Sequence, residues 1–288
     1  MSVETTAHIL NTVWDKDGNS IKISPQQSFE LQVTMGMVDG YSTQDKFGSN
    51  PAITTASDPE DIWEGGGTYT YDADGTAPIV SLASSSSDTE PITVTGLDVD
   101  GNEVEQTLKL TGTSRVALTT PLWRVYGMQN AGTKDFAGNV FCYTGTGTVP
   151  SIGDSEVRAV VINGNNQTLM ALYTIPAGQV GFLYRGEVGI NWEGGVFAGT
   201  EFAKCFYKSR RFGKVFTIKK DISLVSSGNT IFQDRRSFPD VIPAKTDIKL
   251  VVEEVSATMG AWGAFDIILV DEDKLSTAYL QAIGQPGY

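Results

Sequence analysis

Apolar and polar residues alternate with a period of two over long stretches of this chain. Ile92, Val94 and Gly96 are interleaved with Thr93 and Thr95. Glu103, Glu105, Thr107, Lys109 and Thr111 are interleaved with Val104, Gln106, Leu108 and Leu110. Successive side chains of a strand point to opposite faces, so this pattern predicts two half-buried strands, each with one wet face. Asp100-Gly101 between them predicts a hairpin with a type I′ turn, in which both central residues take positive φ. Further strands are predicted at residues 68–71, 79–82, 122–127 and 140–143. A second series is predicted at 157–162, 169–175, 181–190, 202–211, 214–220, 248–255 and 264–269. Asn163-Gly164 reads as another hairpin signal, and Pro176-Ala-Gly178 as a tight turn. Only residues 274–282 suggest a helix, short and terminal.

These elements predict an all-β protein of two β-sandwich regions. Residues 61–150 form the first and residues 151–271 the second, with 272–288 as a C-terminal tail. Eight or so strands of this length and spacing make the C-terminal sandwich jelly-roll-like. The pattern does not say which strands pair. Residues 1–60 are sparser in signal. Short strands are predicted at 20–24 and 29–34, followed by a stretch that Asp39-Gly40, Gly48 and Pro51 make irregular. The segment reads as an extended N-terminal arm or small β subdomain that orders on a partner, or as an ordinary edge hairpin packed on its own domain.

Charge and composition narrow the partners. The 288 residues carry a net charge of −13. Such a chain repels nucleic-acid phosphates and would be drawn to a basic surface. No apolar run approaches the roughly 20 residues that cross a bilayer. The start, Met1-Ser-Val-Glu-Thr-Thr, is polar and acidic, so synthesis in the cytoplasm is expected. Cys142 and Cys205 sit among apolar neighbours and read as buried free thiols.

Candidate chemistry is thin. His8 is the one histidine, which argues against Ser-His-Asp catalysis and His-based zinc sites. Asp15-x-Asp-Gly-Asn and Asp98-x-Asp-Gly-Asn resemble calcium loops faintly, but the glycine falls at the fourth position and Lys109 stands where the closing glutamate belongs. Gly65-Gly-Gly67 precedes a strand-like Thr-Tyr-Thr-Tyr and lacks the helix start that would hold a phosphate. No catalytic, cofactor or metal residue is assigned. One anomaly remains: Lys204, Lys208, Arg210, Arg211, Lys214, Lys219 and Lys220 crowd a short span interleaved with Phe206, Tyr207, Phe212 and Phe216. The strip reads as a solvated or intrachain face, as a protein interface, or as a single-stranded nucleic-acid surface. Trp14, Trp63, Trp123, Trp192 and Trp262 read first as core residues; Trp14 and Trp192 stand beside turns and read also as surface anchors. The candidate interface is Trp14, Trp192, Lys208, Arg210, Arg211 and Lys214.

Four stretches carry a resemblance. They are Gly48-Ser-Asn-Pro51 with Asp58-Pro-Glu-Asp-Ile-Trp63-Glu-Gly-Gly-Gly67-Thr-Tyr-Thr-Tyr71; Ser84-Ser-Ser-Ser-Asp88 leading to Val94-Thr-Gly-Leu-Asp98; Gln167-Thr-Leu-Met-Ala-Leu-Tyr173-Thr-Ile-Pro-Ala-Gly178; and Lys245-Thr-Asp-Ile248 with Gly263-Ala-Phe-Asp-Ile-Ile-Leu-Val-Asp271. In content and order the chain resembles a group of tailed-bacteriophage virion structural proteins. It departs at Asp88-Thr-Glu-Pro91, where a longer glycine-rich turn belongs, and residues 1–47 carry no match. The resemblance implies a non-enzymatic virion protein that binds the mature phage capsid lattice as a decoration or cement protein. It leaves open a neck- or tail-associated protein or host-recognising fibre, and a virion-bound carbohydrate hydrolase. The implied partners are the major capsid protein or other virion proteins and further copies of the chain, a trimer for preference. No cofactor, nucleic acid or membrane partner is implied.

Overall fold

The computed structural model describes residues 12–14, 20–22, 28–54, 59–191, 201–226, 230–256 and 258–285. β1 (Thr12–Trp14) and β2 (Ser20–Lys22) pair as a small hairpin, followed by α1 (Phe29–Thr34), β3 (Tyr41–Ile53) and β4 (Glu60–Asp61). Next come β5 (Ile79–Ser84), β6 (Pro91–Leu97), β7 (Glu103–Lys109), β8 (Val116–Leu122), β9 (Arg124–Asn130), β10 (Val140–Thr144) and β11 (Val157–Val161). The last group is β12 (Leu172–Thr174), β13 (Gln179–Asn191), β14 (Glu201–Arg210), β15 (Thr217–Ser226), β16 (Thr230–Ile242), β17 (Asp247–Val255) and β18 (Met259–Asp271), then a 3-10 turn (Glu272–Lys274) and α2 (Thr277–Ile283).

The protein is mostly β, and every strand pairing is antiparallel. One sandwich packs the sheet β11-β10-β5-β8 against β7-β6-β9. Its core takes Ile92 and Val94 from β6, Leu82 from β5 and Phe141 from β10. β7 exposes Glu103, Glu105, Thr107 and Lys109 and half-buries the residues between them, as the alternation predicts. The second sandwich packs β16-β13-β18-β3 against β12-β17-β14-β15, with β4 beside β17. Leu183, Phe265, Ile267, Leu250 and Cys205 meet in its core. The two cysteines are buried and free, one in each sandwich. Burial pushes each thiol up to about 12, because a thiolate would lose its hydration there.

Several local expectations change. Residues 29–34 form a helix, although their alternation suggests a strand. The Ser28 hydroxyl accepts a hydrogen bond from the Leu31 N–H at 3.3 Å, and Glu30 sits in the first turn. Both features stabilise a helix start. The stretch read as irregular is the 13-residue strand β3, paired with β18 from Tyr41↔Val270 to Ile53↔Met259. Gly48 is there because a Cβ would come within 2.2 Å of the Ala171 nitrogen. Pro51 is tolerated because β3 is an edge strand, where a missing N–H costs no ladder bond. Residues 41–53 and β4 therefore belong to the C-terminal sandwich and not to an arm spanning 1–60.

Residues 68–71 are a loop, tied where the Tyr69 N–H meets an Asp61 carboxylate oxygen at 2.7 Å. The strand expected at 122–127 breaks at Trp123, where the chain leaves β8 for β9 in the facing sheet. Asn163-Gly164 is a turn, but β11 and β12 lie in different sandwiches. β11 pairs with β10, so the first sandwich reaches residue 161 rather than 150. The β6–β7 hairpin uses five residues, Asp98 to Asn102, and Gly101 alone among them has positive φ. The Asp98 carboxylate accepts from the Asp100 and Asn102 N–H groups at 2.9 Å each, replacing the type I′ turn. The terminal helix is present, capped by Ser276 and ended by Gly284 in the left-handed conformation.

Candidate interaction surfaces

The basic strip divides in two. Arg210 closes β14 directly opposite Asp247, which opens β17. Its Nε and Nη2 donate to Asp247 Oδ2 at 2.9 and 2.5 Å. Arg124, from β9 of the other sandwich, grips the same carboxylate at 2.9 and 3.2 Å. The Thr174 hydroxyl adds a bond at 2.6 Å. Asp74 reaches both guanidinium groups, at 3.2 and 3.4 Å, and also accepts the Gly213 N–H at 2.7 Å. Two cations face two anions. Arg124 lies 4.1 Å from the Trp123 ring centroid, and Arg210 lies 5.2 Å from that of Tyr71. Arg158 makes a bidentate pair with Asp72 nearby, at 2.7 and 2.8 Å. Asp247 is 1% exposed and Arg124 3%. Charges so buried persist only when paired and hydrogen-bonded. Arg210 is thus part of an internal lock between the sandwiches, not of an open interface, and the sequence reading is corrected there. Lys208 is also occupied, by Glu253, and Lys249 holds Asp61 at 2.8 Å.

The rest of the strip faces outward. β15 and β16 are edge strands of the two facing sheets, joined in sequence but not paired with each other. Near residues 220–234 the gap between them is shut by a Lys220–Asp234 ion pair at 2.6 Å, with Phe232 beneath the ammonium. Toward residues 217 and 242 it opens into a groove of about 470 Å³. Arg211, Lys214 and Lys219 supply cations, Val215 and Val241 apolar surface, and Asp240 the carboxylate of the lining. Lys214 and Lys219 form no ion pair with a described residue. Arg211 donates to the Ile283 carbonyl at 2.9 Å at the end of α2. The Thr246 hydroxyl, buried at the groove wall, has no hydrogen-bond partner among the described residues. Beside the groove β16 carries four residues between Arg235 and Asp240 against one on β13, and this bulge leaves Phe238 88% exposed.

A second apolar surface lies at the N-terminal side. α1 and the turn after it expose Phe29, Leu31, Met35 and Met37, and β3 exposes Phe47. The Phe29 ring meets Tyr41, the first residue of β3, edge-on at 5.7 Å. Sequence reasoning missed this surface because the strand pattern hid the helix.

Of the two candidate tryptophans, Trp192 lies outside the described residues, as does His8, and Trp14 lies in β1. Trp63 and Trp123 are core residues. No group of three His, Cys, Asp or Glu side chains able to hold a metal occurs among the described residues.

No family model and no curated protein matches the chain. Among solved structures it is similar to a chain of the infectious bursal disease virus Gt strain, with 12% identity, 88% of this chain and 76% of that one covered, and a TM-score of 0.22. For the VP2 subviral particle of the same virus the figures are 11%, 83%, 78% and 0.19. For its derived T=1 particles they are 11%, 83%, 75% and 0.19. Scores this low do not establish a shared topology.

Proposed function

We propose that this protein is a non-enzymatic structural component of a tailed-phage particle that decorates the mature capsid lattice, docking through its N-terminal face. The observation that carries this reading is the apolar surface of α1 and β3. A cluster of exposed large apolar side chains marks a surface that a partner covers. It lies within residues 1–60, which the sequence reads as a partner-ordered arm or small β subdomain, or as an edge hairpin packed on its own domain. The motif resemblance across residues 48–271 supports the virion setting. Docking on a repeating lattice suits such a patch, because weak contacts repeated on one molecule raise effective concentration.

The test is incorporation into particles. Leu31→Asp with Met35→Asp should leave the melting temperature within a degree or two, since both side chains are already exposed, and should abolish incorporation. Copy number in purified particles then separates the positions. Hundreds per particle fit a capsid lattice, whereas a dozen or fewer would move the protein to the neck, tail or fibre. Unchanged incorporation of the double variant would remove the N-terminal face from the docking surface.

A further inference from the structure

The groove between β15 and β16 calls for an occupant of its own. Among the described residues its cations Lys214 and Lys219 have no ion-pair partner, the Thr246 hydroxyl in its wall has no hydrogen-bond partner, and β15 pairs on one side only. Three cations against one carboxylate is an unusual balance on a chain of net charge −13. The complementary surface occurs on the same molecule. Among the described residues β7 is the edge strand of its sheet, laddered to β6 and held to β8 by the Gln106 side chain. Its wet face begins with Glu103 and Glu105, and Asp100 at the hairpin tip lies on the same acidic end. Glu105 has no ion-pair partner among the described residues.

We propose that the groove of one copy receives the acidic β7 edge of a second copy. β7 would extend the sheet that β15 ends, with backbone groups bonding edge to edge and carboxylates meeting Lys214 and Lys219. Strand addition to a free edge draws affinity from main-chain bonds and specificity from side chains. The outer face of the other sheet is also acidic, but Arg185 there already pairs with Glu187 and Asp266, at 3.3 and 3.7 Å. The contact joins two different surfaces, so it is heterologous, and repeated copies close into a ring or run on as an array. It uses neither α1 nor β3 and stands apart from docking through the N-terminal face.

The experiment is sedimentation velocity on the full chain up to about 100 µM, at low and high salt, with circular dichroism melts on every variant. The wild type should associate and dissociate as salt rises. Lys214→Glu with Lys219→Glu should weaken association about tenfold or more, and so should Asp100→Lys with Glu105→Lys. All four changes on one chain should restore it, because the charges are exchanged between the surfaces. A wild type that is monomeric throughout overturns the proposal. So does association that either reversed pair leaves intact, or a four-fold variant that melts normally and stays monomeric. Should a reversed pair lose its fold, Lys214→Ala with Lys219→Ala gives the same reading without added repulsion.

Discussion

Neighbours in sequence have opposite roles within the basic strip. Arg210 is bound into the lock with Asp247, Asp74 and Arg124, whereas Lys214 stands at an open groove. Arg210→Glu should therefore cost at least about 3–5 kcal/mol in denaturant unfolding, because it leaves Asp247 and Asp74 to share the Arg124 guanidinium alone and adds a third carboxylate beside them. Lys214→Glu should stay within about 0.5 kcal/mol. Equal, small shifts for both would show that the lock does not form. The paired change of Arg210 and Arg211 to Glu, which the sequence suggests as a pure interface test, would instead report on stability. Lys46 offers a titration test. It is buried on β3, donates to the Tyr126 carbonyl, and its pKa is lowered to about 8 by desolvation, with Asp45 opposing. The unfolded value is about 10.5. Below pH 8 both states hold the proton. Between about 8 and 10.5 the folded chain has released it and the unfolded chain has not, so this residue's contribution to stability rises with pH. Melts across that window should show the wild type gaining on Lys46→Met. A constant difference would mean the ammonium is not desolvated.

Among the elements, β3 decides how the N-terminal region is to be cut. Its pairing with β18 runs the length of the strand and covers one side of the C-terminal sandwich. Removal of residues 1–27 should leave a cooperative melt, since α1 and β3 stay whole. Removal of 1–47 deletes the first seven residues of β3, Tyr41 to Phe47, exposes the edge of β18 and should lower the melting temperature sharply or abolish the transition. Thermal melts of the two truncations decide this. A normal melt for the longer truncation would place β3 outside the folding core. Element type was legible where packing agreed with local pattern, as in β6, β7, β13 and β17. It failed at 29–34, where the Ser28 cap outweighed alternation, and at 41–53, where glycine and proline signal a loop unless an edge position tolerates them.

At the scale of the molecule, the sandwiches are coupled by charge as well as by apolar contact. Trp123 and Leu97, from the N-terminal strand set, are buried in the C-terminal core, while Met170 and Leu172 are buried in the other. Arg124 and Asp247 tie the same seam. The chain should therefore unfold in a single transition by fluorescence and circular dichroism. Arg124→Met should lower that transition by about 3–5 kcal/mol and separate the two probes, because the carboxylates at the seam lose their shared cation. Coincident probes with an unchanged midpoint would leave the coupling to apolar contacts alone.

The all-β class, two sandwich regions, the wet face of β7, the buried thiols and the short terminal helix are all legible in the residues alone. Each follows from interactions between residues close in the chain, or from a side chain's own preference for water, and a one-dimensional pattern records both. The tertiary structure decided which strands pair, where the first sandwich ends and which cations are spoken for. Arg210 and Lys214 look alike in the sequence. They differ because Asp74 and Asp247, far away along the chain, approach one and not the other, and a charge's role depends on its distance from other charges rather than on its own identity.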